Sequence, residues 1–346
     1  MLIIGCDFHP GFQQVAIFDK QTGEIEQQRL QHREQAEQFY RGLPAGVRVG
    51  VEACGQYPWF ERLLAECGHE MWVGDASQIR ASVVRAQKTD RRDAEHLLDL
   101  LRQERFPRIW VPSLAERDVR QLLVQRHKQV QGRTRIKNQL QALALSQGVQ
   151  KKWKLWTAAG RAELEKLELL PYAAGRRQQL LAGLEQLEEE IARLNQQVET
   201  EVKQRPAAGK LMTHPGVGPV TALAMVLTLG PAERFASGKQ VASYFGLIPS
   251  EHSSGGRQRL GHITKQGSAF LRFLLVEAGQ SAARYDPELG RFYRRLAVRK
   301  HRGLAKVAVA RKLAVRLYVM LREDWTYAQL CKAVVQVSPS HSVVAS

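Results

Sequence analysis

Two carboxylates three residues apart at the start of a helix constrain this chain more than any other feature. They lie in residues 88–101, KTDRRDAEHLLDLL, as Asp90 and Asp93. Residues at that spacing share one face of a helix. Ala94, Leu97, Leu98 and Leu101 follow at the spacing of a buried stripe, which would anchor the helix and aim the acids of its first turn. A plainer reading makes Asp90 the helix cap and Asp93 a partner of the helix dipole. The flanking Lys88, Arg91 and Arg92 fit either.

The residues upstream weigh toward the first reading. Residues 2–6 form an apolar run that ends at Asp7, residues 15–18 a second, and after a D-K-Q-T-G turn residues 24–30 a third strand. A helix is expected over residues 34–43, and a strand over 47–51 that delivers Glu52 at its end. A helix over 58–67 and a strand over 69–73 follow. Acids at two strand ends and on a later helix can converge at one edge of a mixed sheet. Singly, Asp7 reads as a turn residue and Glu52 as a solvated loop acid; as a set, Asp7, Glu52, Asp90 and Asp93 point elsewhere. Four clustered carboxylates repel, divalent cations relieve the repulsion, and hard oxygen donors select Mg2+ or Mn2+. Two such ions suit phosphoryl transfer.

Charge narrows the partner. Among 346 residues, 51 Lys and Arg face 34 Asp and Glu, a net charge of +17 that suits a polyanion such as DNA or RNA. Ribosomal and membrane-surface proteins share such a balance. Cys6, Cys54, Cys67 and Cys331 show no C-x-x-C spacing, which argues against a zinc knuckle or a disulfide framework and for a reducing cytosol. The start MLIIGCDFHP has no basic region before its short apolar run, and no stretch reaches membrane-spanning length.

Beyond Trp110 the composition changes. Residues 115–146 are rich in Arg, Gln and Leu, with Arg117, Arg120, Arg126, Lys128, Arg133, Arg135 and Lys137 forming either a solvated face or a phosphate-binding one. Lys151–Trp156 interleaves cations with indoles, which stack on bases or pack against a helix. Leu180, Leu184, Leu187, Ile191, Leu194 and Val198 alternate four and three apart. That register predicts a coiled-coil arm or hairpin, dimerising or spacing domains, and packing within the chain would look the same. A Gly-Val-Gly turn at 216–218 resembles a helix-hairpin-helix element, where backbone N–H groups can hold a phosphate; a simple helix connection is the alternative. Ser253 and Ser254 precede two glycines, with Arg257, Arg259, His262 and Lys265 close behind. A hydroxyl in an electropositive loop could be a linker residue or a nucleophile toward a phosphate. Residues 291–322 carry no acid, and their Arg and Lys punctuate Ala, Val and Leu, which predicts an amphipathic helix with one cationic face. Residues 337–346 show no pattern.

Two sets of these motifs resemble one known family. The G-C-D start, the V-E-A-C-G strand end and K-T-D-R-R-D-A-E are similar to the amino-terminal domain of IS110 and IS1111 transposases, and G-L-I-P, S-S-G-G, R-L-G-x-I-x-K-x-G and L-R to their carboxy-terminal domain. The resemblance implies α/β plus all-α architecture: a RuvC-like domain of ribonuclease-H fold over residues 1–110, a helical coiled-coil connector over 111–206, a helical transposase domain over 207–335 and a tail over 336–346. The family's D-E-D-D tetrad falls on Asp7, Glu52, Asp90 and Asp93, binding Mg2+ or Mn2+. Its catalytic serine falls on Ser254, with Ser253 the alternative. Arg257, Arg259, Lys265, Arg272, Arg299, Lys300 and Arg302 are the cations expected to meet nucleic acid.

The implied activity is DNA recombination by serine attack on phosphodiesters with strand exchange, between donor and target DNA. The family further implies a guide (bridge) non-coding RNA and a homo-tetramer, a dimer of dimers, in the bacterial cytoplasm at the nucleoid. Two other readings compete. In one, the tetrad cuts junctions with water as a metal-dependent resolving nuclease and Ser254 is a loop residue. In the other, the chain is an architectural DNA-binding protein without catalysis.

Overall fold

A computed structural model of the chain describes residues 2–55, 57–83, 89–150, 154–251, 253, 257 and 259–337. Two compact units divide it, Met1–Leu114 and Ala115–Ser346.

The first unit is built on a five-stranded sheet. Its strands are β1 (Leu2–Phe8), β2 (Phe12–Asp19), β3 (Ile25–Gln31), β4 (Arg48–Glu52) and β5 (Glu70–Gly74), in the order β3-β2-β1-β4-β5. β1, β2 and β3 form an antiparallel meander, whereas β1 pairs parallel with β4 and β4 with β5. The helices α1 (Glu34–Gly42) and α2 (Pro58–Glu66) supply the crossovers, so each predicted element up to β5 is present. Tyr40, Phe60 and Leu64 from these helices bury one face of the sheet over Ile4, Cys6, Val15, Val49 and Val51. After a short helix, α3 (Ala76–Ala81), the helix α4 (Asp90–Arg102) covers the other face with Ala94, Leu97, Leu98 and Leu101. The central strand β1 is covered on both faces, which is why it reads as an apolar run and not as an alternation.

A row of small residues sets how closely α4 approaches. Ala16, Gly5 and Gly50 lie side by side on β2, β1 and β4. A methyl group at Gly5 would come within 3.0 Å of the α4 backbone at Ala94 and Leu98, and one at Gly50 would press on the Leu101 side chain. The helix backbone therefore rests directly on β1. Its cap is Thr89, whose hydroxyl accepts from the Arg92 N–H at 3.4 Å, and not Asp90, which is the first helical residue.

The second unit is helical. α5 (Leu114–Ser146) and α7 (Pro171–Lys203), joined through the short helix α6 (Ala158–Glu165), run antiparallel. Arg126 Nε donates to Asn195 Oδ1 at 3.0 Å and Lys137 pairs with Glu188 at 2.9 Å, while Gly132 meets Leu187 and Gly183 meets Ile136. The heptad seam of α7 is thus covered by α5 of the same chain, with Leu184, Ile191, Leu194 and Val198 buried. Trp156 packs beside this hairpin with Lys137 over its ring at 5.2 Å; Trp153 lies outside the described residues.

The main core gathers α8 (Pro206–Met212), α9 (Pro219–Leu229), α10 (Gly238–Tyr244), α11 (Ala269–Tyr285), α12 (Pro287–Arg299), α13 (Arg302–Arg322) and α14 (Tyr327–Val337). Between α10 and α11 a hairpin of β6 (Pro249–Glu251) and β7 (Leu260–Ile263) carries the serine loop at its tip. Gly216 has φ +84°, and a methyl group there would strike the α11 backbone at Ala278 and Ala282, so close packing explains this glycine.

The acid-free run does not form the single cationic helix expected of it. Extended backbone at Lys300 breaks it, and His301 starts α13, its Nδ1 accepting from the Gly303 N–H at 3.1 Å. α13 is a core helix, burying Val309, Leu313, Leu317 and Tyr318. Arg316, 11% exposed, and Lys312 are neutralised by Asp286 and Glu288, acids that lie just before the run. Residues 338–346 lie outside the described set, and among the described residues no helix is long and apolar enough to cross a membrane.

Candidate active site

The first unit brings its acids together through strand register. Asp7 lies one position past the Cys6↔Val51 pair of β1 and β4, and Glu52, the last residue of β4, lies one position past Val51. The two acids are therefore neighbours across the parallel ladder. Each lies two residues after a glycine that faces α4, so both side chains leave the sheet on the α4 side. Asp90 and Asp93 occupy the first turn of that helix, one turn ahead of Ala94 and Leu97, which pack on the sheet.

A residue that the sequence reading passed over completes the cluster. His9, in the β1–β2 turn, has Nε2 3.0 Å from Asp7 Oδ2 and 3.6 Å from Asp90 Oδ1. Its backbone N–H donates to the Phe12 carbonyl at 3.0 Å, and its ring stacks on Phe12 with centroids 4.5 Å apart at 20°. Arg29 covers Phe12, its guanidinium 3.6 Å from the ring centroid. The available signal was the spacing D-F-H, since positions i and i+2 at a strand end share a side.

Burial pushes the Asp7 carboxyl above its usual range; His9 opposes the shift by charge and hydrogen bond, and Asp93 and Asp90 add to it. One donor atom each from Asp7, His9 and Asp90 lie within 4.8 Å of one another. Glu52 and Asp93 lie outside that group: Asp93 acts on Asp7 through charge, and Glu52 is placed beside Asp7 by strand register. A half-buried carboxyl whose charge is costly, facing further acids and an imidazole, is a donor set that suits a divalent cation.

The second unit carries the other predicted residues. Ser253 Oγ donates to Glu251 Oε1 at 2.6 Å and accepts from the Arg259 N–H at 3.0 Å, which ties it into the hairpin. Ser254 lies outside the described residues, as do residues 255, 256 and 258. Arg257, Arg259 and Lys265 are exposed around the loop. Arg272 is part of the framework: its Nη1 donates to the carbonyls of Phe245 at 3.3 Å and Gly267 at 3.2 Å, and to that of Gln266. Burial pushes its pKa down. Arg299, Lys300 and Arg302 are exposed where α12 gives way to α13.

Residues 4–147 match a transposase family model of the IS110 DEDD type, and residues 208–294 match the Transposase IS116/IS110/IS902 family. A Pseudomonas aeruginosa protein named "Probable family 20 transposase" is 30% identical, over 94% of this chain and 98% of its own length. The transposase for insertion sequence element IS1111A of Coxiella burnetii is 25% identical over 83% of this chain and 82% of its own. That for element IS1328 of Yersinia enterocolitica is 25% identical over 85% and 89%. With a relative of that identity along nearly its whole length and two family matches in register, the chain belongs to the IS116/IS110/IS902 family of transposases and is an enzyme of DNA transposition.

Proposed function

We propose that this transposase cuts and joins DNA through a serine of its helical unit and the acid tetrad of its sheet unit. The observation that carries the reading is the register of Asp7 beside Glu52 under a helix that begins with Asp90 and Asp93. An antiparallel three-stranded meander continued by two parallel strands, with a helix laid across the acid-bearing face, supports a RuvC-like ribonuclease-H fold for residues 1–110. Residues 111–206 then form the coiled-coil connector and 207–335 the serine-bearing domain.

Asp7, Glu52, Asp90 and Asp93 would hold Mg2+ or Mn2+, which when bound offsets the charge that builds on a phosphate's oxygens during transfer. Ser254 Oγ forms a bond to phosphorus, the bond to the 3′ oxygen breaks, and the serine proton ends on that oxygen. A phosphoserine linkage and a free 3′-hydroxyl result. The 3′-hydroxyl of the exchanged strand then attacks the phosphoserine and returns the proton to Ser254. The family resemblance, whose serine directly precedes a glycine, supports Ser254 as the nucleophile, while the Ser253 hydroxyl is tied to Glu251 and the Arg259 N–H. Arg257, Arg259, Lys265, Arg299, Lys300 and Arg302 provide the electropositive surface for donor and target DNA, and Arg272 shapes the loop beneath it. The family resemblance extends the reading to an element-encoded guide RNA and to a tetramer in which acids and serine meet between protomers.

The test is recombination of donor and target plasmids in cells carrying the element's flanking sequence. Wild type is compared with Ser254→Ala, Ser253→Ala and Asp7→Asn, and denaturing gels look for protein joined to DNA. Loss of joining in Ser254→Ala and Asp7→Asn, with no adduct in Ser254→Ala and Ser253→Ala tolerated, is the expected outcome. Adducts that persist in Ser254→Ala but vanish in Ser253→Ala would move the nucleophile to Ser253, with Glu251 as its base. Cleavage without any adduct would leave the junction-resolving nuclease.

A further inference from the structure

Among the described residues, His9 touches Asp7 and has no role in the D-E-D-D tetrad. We propose that His9 is itself a ligand of the divalent cation, which makes the site a mixed nitrogen and oxygen set that favours Mn2+ over Mg2+ more than carboxylates alone would. This rests on the tetrad reading above and adds a residue to it.

The distances suit the role. Two neighbouring donors on a six-coordinate ion with bonds of about 2.1 Å lie about 3 Å apart. His9 Nε2 stands 3.0 Å from Asp7 Oδ2 and 3.6 Å from Asp90 Oδ1, on the same side of both acids. The ring is also held by the protein itself. Phe12 stacks on it, Arg29 holds Phe12 from the far side, and the His9 N–H ties the turn to Phe12.

Charge favours the same assignment. Each further carboxylate adds repulsion among donors already crowded around Asp7, whereas neutral imidazole adds a donor without charge. Donor type then sets preference. Mg2+ takes oxygen ligands and dehydrates reluctantly, while imidazole binds the transition ions more readily.

The test uses the full-length protein with Mn2+ alone and Mg2+ alone. Pulsed electron paramagnetic resonance of the Mn2+ complex should show the 14N coupling of a directly bound imidazole, and His9→Gln should remove it. Calorimetric titration should show Mn2+ affinity falling at least about tenfold in His9→Gln, with Mg2+ affinity changing less than about threefold. Absence of 14N coupling in the wild type with Mn2+ bound would overturn the proposal, whatever the variant does. Equal weakening of both ions would also overturn it and leave His9 as a group that positions the carboxylates. Asp7→Asn separates the two levels. If it abolishes Mn2+ binding while the wild type lacks the coupling, the tetrad reading stands and only the His9 ligand fails. If Asp7→Asn binds Mn2+ as the wild type does, the tetrad reading fails as well.

Discussion

Asp7 pays in stability for its place. Its raised pKa means that the folded chain keeps the proton to higher pH than the unfolded chain does. Folding therefore weakens as pH rises between the two values, and the full penalty is present above both. In the presence of a chelator at neutral pH, Asp7→Asn should unfold at a temperature higher by on the order of 2 °C, the scale of one partly screened charge in a domain of this size. The difference should vanish well below the carboxylate range, where both forms are neutral. Recombination in cells should be lost in this variant. Thermal unfolding at the two pH values checks the sign: a lower midpoint for Asp7→Asn at neutral pH would mean that pairing with His9 outweighs burial. Of the residues proposed for the site, Asp7, Glu52, Asp90 and Asp93 could be singled out in the sequence because the first two lie at strand ends and the others in the first turn of a helix. His9 was signalled only by the D-F-H spacing, and its approach to Asp90 depends on where α4 is laid, which spacing does not show.

At the scale of elements, the placement of α4 depends on absent atoms. Gly5→Ala should cost at least about 2 kcal/mol, because the methyl group meets helix backbone that has no rotamer to escape by. It should also weaken divalent-cation binding at the proposed site by lifting Asp90 and Asp93 away from Asp7. Gly11→Ala, with open space around it and φ in the ordinary range, is the control and should stay within about 0.5 kcal/mol of wild type. Urea unfolding of both variants decides. In the helical unit the corresponding link is Asp286, which caps α12 and reaches α13. Burial pushes its carboxyl up, but the Leu289 N–H, the Tyr327 hydroxyl and Arg316 together outweigh burial and hold it below the usual range. Its contribution is therefore complete above the unfolded pKa and disappears as pH falls through the folded one. Asp286→Asn should destabilise the protein by roughly 2–3 kcal/mol at neutral pH, with the gap to wild type closing on acidification. Apart from α3, the strands and helices of the sheet unit were legible from periodicity; what covers each apolar stripe was not. The α7 heptads were plain, yet α5 as their partner was not, and the acid-free run concealed Asp286 and Glu288, which lie outside its bounds.

For the whole molecule, a net charge of +17 makes affinity for DNA depend on salt. Replacing Arg299, Lys300 and Arg302 together by Ala should reduce the slope of log affinity against log salt by about 0.9 for each phosphate that is no longer neutralised, and weaken all DNA sequences alike. Fluorescence anisotropy at several salt concentrations would measure it; an unchanged slope would remove these three from the interface. The central position of α13 also has a consequence in time. Every element of the sheet unit has been synthesised by Leu114, whereas the helical core lacks its middle until Arg322 has emerged. At bacterial translation speeds that interval is on the order of 10–40 s. During it α9 and α11 lack the helix that covers their apolar faces. Exposed apolar surface of that kind is what chaperones and aggregation compete for.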